Sequence, residues 1–144
     1  MTLMRTVLFL AVVLLAPVSA RAACSVELAP VSFGTVDTRE SSRGTGEVVV
    51  RCDTAAGFEV AISGAGGGGT RRMDGPGGSR LDYRLFADAA RAVPWGDGGS
   101  LGAPVAAASD GNDARRLTIY GEIPAQSGVP AGDYIASLQV TLAF

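Results

Sequence analysis

The residues with the most chemistry in this chain are its two cysteines, Cys24 and Cys52, and their surroundings limit what they can do. A reactive thiol pair wants a C-x-x-C spacing, or a His or Lys close by to lower a thiol pKa. The spacing is absent, there is no histidine, and all twelve basic residues are arginine. The same absences remove the Ser-His-Asp triad, Cys-His pairs, His-rich metal sites, Schiff-base lysines and the P-loop. Two cysteines do not build a four-cysteine zinc site or an iron–sulfur cluster. A formal net charge of −2 gives no electrostatic footprint for nucleic acid.

Other candidates dissolve in the same way. Gly64 to Gly69 spells G-x-G-x-x-G after a strand-like run, but a dinucleotide site needs that turn to open a helix. Thr70 to Gly78 is unsuited to helix, so the segment reads as a flexible hairpin-type loop. Asp110-Gly111-Asn112-Asp113 lacks the EF-hand spacing and reads as a solvated turn. Asp82 and Asp88 pose as an acid–base pair, yet Asp82 alternates outward between Leu81 and Tyr83. Arg71-Arg72 is a weak anionic-surface patch or a charged loop tip. Trp95 is a core plug or an exposed contact, and the sequence leaves both open. No cofactor and no metal is expected, and without a nucleophile–base pair the chain does not read as an enzyme.

The elements that must position these residues begin after a leader. Arg5, the apolar run Val7 to Ala16, Pro17 and Ala20-Arg21-Ala22 read as a secretory signal peptide over 1–22. Its apolar run is too short for a bilayer, which takes about 20 residues. Arg21 stands where a lipobox wants an apolar residue, which argues against lipidation at Cys24. The exported chain is then one domain, 23–144, in an oxidising compartment. There the simplest reading of Cys24 and Cys52 is one disulfide.

Along that domain the pattern has period two. Phe58 to Ser63, Leu81 to Leu85 and Leu117 to Tyr120 alternate apolar and polar residues. Tyr134, Ala136, Leu138, Val140, Leu142 and Phe144 fall on one face of a last strand, with Ile135, Ser137, Gln139, Thr141 and Ala143 on the other. Val48-Val49-Val50 reads as buried on both faces. Strands are expected at 24–36 (broken at Pro30), 45–52, 57–63, 80–87, 115–121 and 133–144. Glycine-rich turns separate them, and no amphipathic helix intervenes. The fold class is all-β, a sandwich with Greek-key connections. The 64–79 and 88–114 loops are expected to be exposed and to hold any receptor contact, through Arg71, Arg72 and Trp95.

The order of these pieces resembles the spore coat protein U domain family, which includes subunits of Csu-type, archaic chaperone–usher pili. The likeness is carried by Cys24, Phe33-Gly34, Val48 to Cys52, Gly64, Arg72-Met73, Leu81 to Phe86, Trp95 to Gly98, Ile119 to Gln126 and Pro130 to Tyr134. The resemblance implies an immunoglobulin-like sandwich lacking its last strand, which a periplasmic chaperone and then a neighbouring pilin subunit supply. It implies passage through an outer-membrane usher to a surface pilus serving attachment and biofilm formation. The alternative within the family is a structural protein of a spore or cyst coat.

The residue pattern agrees, because six strands are one short of the seven such a sandwich needs, and a long apolar edge must be covered. Leu138, Val140 and Leu142 are expected to line the donor-strand groove, with Phe144 closing one end. Family members that polymerise carry a donor extension ahead of the first cysteine. Here only Ala23 precedes Cys24 in the mature chain, so it is expected to accept a strand without donating one. That points to a pilus tip, although the family's tip adhesins carry a further binding domain.

Overall fold

In the computed structural model, which describes residues 21–144, alternating runs become strands and glycine-rich runs become turns. The expected leader lies outside the described residues except for its last two positions. The strands are β1 (Cys24–Ser32), β2 (Ser42–Cys52), β3 (Ala56–Ser63), β4 (Gly66–Gly67), β5 (Thr70–Asp74), β6 (Arg80–Phe86), β7 (Val105–Ser109), β8 (Arg115–Ile123) and β9 (Gln139–Ala143). A short 3-10 turn, Pro76–Gly78, links β5 to β6. All ladders between these strands are antiparallel. Six strands form one sheet in the order β1-β2-β8-β6-β5-β4, and three form the other in the order β7-β3-β9.

The core lies between the sheets, where the inward halves of the alternating strands meet. Val48, Val50, Val60 and Ile62 are fully buried, with Leu81, Tyr83, Leu85, Ile119 and Ile123 nearly so. Val49 faces outward yet is only 7% exposed. It is flanked in register by Glu27 and Arg116, long side chains whose stems can cover it. The valine run is therefore buried on both faces, as its composition requires.

Three differences from the sequence reading have clear causes. Pro30 does not break the first strand. It falls where the β1–β2 register shifts between Ala29 and Ser32, a bulge that accommodates a residue unable to donate to a ladder. The strand ends before 36 because Gly34, at φ 65°, turns the chain. Inside the expected 64–79 loop lie β4 and β5, and inside 88–114 lies β7, whose Ala106-Ala107-Ala108 run carries no period-two signal. At the C-terminus the alternation extends further than the ladder. Residues 139–143 pair with β3, while Ile135 bridges Asp74 beside β5.

Disulfide Cys24–Cys52 joins the start of β1 to the end of β2. The two cysteines are cross-strand partners in the β1–β2 ladder.

Candidate functional site

Each sheet has a strand with one side unpaired where the two sheets face each other. Among the described residues, β1 is bonded only to β2, and β9 only to β3. Between these free edges opens a cleft of about 1150 Å³. One wall is Leu28 to Thr38, the other is Val129 to Ala136 with Leu138 and Val140. Its floor is the inner face of the larger sheet, through Met73, Leu81, Tyr83, Ile119 and Ile123.

Local sequence explains the first wall. After the bulge, Val31 and Phe33 fold in over β2 and β8 at glycines. A Cβ at Gly46 would lie 2.8 Å from Val31 Cγ2, and one at Gly121 would lie 2.7 Å from Phe33 Cζ. Any side chain at either position would push the wall away. Phe33 then meets the floor edge-on at Tyr83, with ring centroids 6.4 Å apart. At the far end of this wall the Arg39 guanidinium and backbone N–H bind the Asp37 carboxylate. Those bonds lower its pKa from 3.8 to about 2.

Gln126 fastens the cleft's surroundings together. Its side chain imitates a strand, accepting from the Asp82 N–H through Oε1 at 3.0 Å and donating to the Asp82 carbonyl through Nε2 at 3.0 Å. Its backbone N–H donates to Thr38 O, at the end of the first wall. Tyr134 holds the second wall. Its hydroxyl donates to Pro130 O at 2.6 Å and lies 3.1 Å from Ser79 Oγ. A tyrosine at the entry to a strand, bonded to backbone a few residues upstream, is the corner device of immunoglobulin-like sandwiches. Its ring occupies the space over Gly75, where a Cβ would collide with Cε1.

Beside the floor lies a buried cation. Arg71 is 1% exposed, and its Nη2 donates to Ile62 O at 2.7 Å and Trp95 O at 2.8 Å. Its Nη1 has no partner among the described residues. Burial lowers the Arg71 pKa, offset in part by Tyr83 and Asp97. Burial also raises the pKa of Tyr83, its register partner across β5 and β6, against the opposing pull of Arg71. Trp95 is 1% exposed and donates from Nε1 to Val60 O at 2.8 Å.

The structure thus corrects part of the expected receptor surface. Arg71 and Trp95 are core residues and cannot touch a receptor as folded. Arg71 sits on the inner face of β5 with Met73, and Trp95 fills the space between the sheets under its own hydrogen bond. Only Arg72 is exposed, loosely placed 4.0 Å from Asp82. Of the expected groove residues, Leu138 and Val140 line the cleft. Leu142 packs on the core outside it. Phe144 does not close the cleft's end; it is 60% exposed, beside Gly57, Phe58, Ala106 and Ala107. The ladder from β3 to β9 carries the chain end away along β3, so these last two residues pass the cleft by. The first wall and the floor were not singled out in sequence, although Val31, Phe33 and Leu81 lie in alternating runs that announce an inward face.

Asp110 accepts the N–H groups of Asn112 and Asp113, which lower its pKa; it forms a solvated turn.

Among known proteins, the family model for the Spore Coat Protein U domain matches residues 10–141. A similar solved structure is the CsuC–CsuE chaperone–tip adhesion subunit pre-assembly complex from archaic chaperone–usher Csu pili of Acinetobacter baumannii. The TM-score is 0.57 at 19% identity, over 85% of this chain and 40% of that one. Another is a chaperone–tip adhesin complex in CFA/I fimbriae biogenesis, with a TM-score of 0.50 at 11% identity over 81% of this chain and 41% of that one. The chain therefore spans less than half the length of either chain. No curated protein is significantly similar to it.

Proposed function

Because the chain belongs to the Spore Coat Protein U domain family, we propose that it is an exported, non-enzymatic subunit of a chaperone–usher type pilus, completed by a strand from another chain. The observation that carries this reading is the cleft between two unpaired strand edges, floored by core residues. An extended segment laid there has main-chain groups to bond on an exposed edge and an apolar floor for every second side chain. Leu138 and Val140 on one side, with Leu28 and Phe33 on the other, flank its path. In this reading a periplasmic chaperone occupies the cleft first, and a neighbouring subunit replaces it after passage through an outer-membrane usher. The similarity to chains from chaperone–subunit complexes supports the chaperone as first partner. Attachment and biofilm formation are the roles this assembly would serve.

The test is expression of the chain from Ala23 alone and with an alternating apolar peptide fused through a short glycine–serine turn to Phe144. The unfused chain should aggregate, bind apolar dyes or be degraded. The fusion should be a soluble monomer that unfolds cooperatively. An unfused chain that is itself a soluble, cooperatively unfolding monomer, with no dye-binding surface, overturns the reading.

A further inference from the structure

Arg71 is a cation buried among apolar residues, with Asp97 acting on it only from beyond salt-bridge distance. No carboxylate lies within salt-bridge distance of it among the described residues, and one of its nitrogens is left unpaired in the interior. A buried charge of this kind is costly unless something neutralises it. Its position relative to the cleft is informative. Arg71 shares the inner face of β5 with Met73 and stands opposite Tyr83 on β6, and both of those residues belong to the cleft floor. Nη1 lies beside the cleft-lining Leu138: Nη1 and Leu138 Cδ2 are 3.2 and 2.8 Å from the point a Cβ on Gly64 would occupy. The Tyr83 hydroxyl takes no part in the hydrogen bonds that hold Arg71 and Trp95. One end of the cleft, away from the Asp37 and Asp133 carboxylates on its walls, therefore has the Tyr83 phenol in its floor and an unpaired guanidinium N–H directly behind its lining.

We propose that the strand entering this cleft carries a carboxylate side chain at one inward position, which the Arg71 and Tyr83 donors receive, and apolar side chains at its other inward positions. This rests on the strand-accepting reading and specifies the partner. It also supplies what an apolar groove lacks. An alternating apolar strand can slip by two residues and still present its apolar face, so hydrophobicity alone sets register weakly. A single acid that meets its donors in only one register removes that freedom, as isolated polar residues do in coiled coils.

The experiment uses a series of fusions of the chain from Ala23 to an alternating donor peptide. Each inward leucine is replaced in turn by Glu, and separately by Gln. Stability is read from urea unfolding. At one position Glu should give an unfolding equilibrium constant at least about tenfold smaller than Glu at any other inward position, since a charge-assisted bond there replaces an unpaired buried charge. Gln at that position should recover only part of the gain. Tyr83→Phe should shrink the advantage, and Arg71→Met should reverse it, so that Leu outperforms Glu there. Tyr83→Phe keeps the test valid if Arg71→Met does not fold. If Glu destabilises at every inward position while the all-leucine fusion is stable, Arg71 is a core brace only; the proposal falls and the strand-accepting reading stands. If no fusion is more stable than the unfused chain, both fall.

Discussion

Arg71 and Trp95 look like loop residues because glycine surrounds them, yet both are among the most buried side chains in the molecule. Part of this was legible. Thr70 to Asp74 alternates, and placing Met73 inward places Arg71 inward with it. The obstacle was that a charge on an inner face contradicts every local expectation, and only long-range partners make it tolerable. Those partners, Ile62 O and Trp95 O, are carbonyls, which carry no side-chain signature in a sequence. Gln126 shows the same limit. Its amide acts as a short piece of strand against Asp82, 44 positions away. Gln126→Ala should leave the Asp82 N–H and C=O short of a partner in a half-buried place, costing about 1–3 kcal/mol. Arg72→Ala removes only an exposed pair at 4.0 Å and should cost well under about 1 kcal/mol. Urea unfolding of the strand-fused protein compares the two. Equal small effects would mean that water replaces the Gln126 amide without loss.

The most legible elements were those whose alternation is complete. β3, β6 and β8 appear close to their expected bounds, and the C-terminal alternation holds through 134–143, even in the stretch between the Ile135–Asp74 bridge and the start of β9. β7 was hidden because three successive alanines have no apolar and polar face to tell apart, and β4 because two glycines have no side chains at all. β1 is the element on which the cleft depends most. It is an edge strand that begins one wall, through Leu28 to Ser32, and its anchors are the ladder to β2 and the Cys24–Cys52 bridge. Closing a segment with a sequence separation of 28 should stabilise the chain by about 3–4 kcal/mol in the chain-entropy model. The double variant Cys24→Ala, Cys52→Ala should lose most of that. Amide exchange should accelerate first in Cys24–Ser32, because this edge strand is the one the bridge ties down and its ladder runs along one side only. Mass spectrometry of wild-type protein harvested with a thiol trap should find no free thiol. Uniform acceleration across both sheets in the double variant would show that the bridge tightens the whole fold and not the cleft wall.

At the scale of the whole molecule, the core is finished on one side and open on the other. Val31, Phe33, Val36, Val129, Leu138 and Val140 pack against the buried cluster yet stay only partly covered, and all six line the cleft. An occupant placing three or four apolar side chains there contributes on the order of 5–10 kcal/mol before ordering costs, at about 1.5–3 each. The entire stability of a small domain is about 5–15 kcal/mol. In the strand-accepting reading, filling the cleft would therefore contribute a share of stability comparable to the whole, and substitutions in it should act mainly through the occupant. Val140 is the place to test this. It pairs in register with the fully buried Ile62 and faces the cleft, while its neighbour Thr141 points to the outer surface. In the uncomplemented chain Val140 is only partly covered, so Asp there keeps contact with water and forfeits only part of the valine's packing. Once a strand covers it, the same carboxylate loses its water, a penalty of several kcal/mol that outweighs the burial of any one donor side chain. Val140→Asp should therefore abolish most of the rise in urea midpoint produced by fusing a donor peptide, and should prevent capture of a peptide added in trans. Thr141→Asp, one residue away on the same strand, should leave both intact. If the two variants gain equally from the fused donor, the occupant does not lie against Val140, and the stabilising strand binds somewhere other than this cleft.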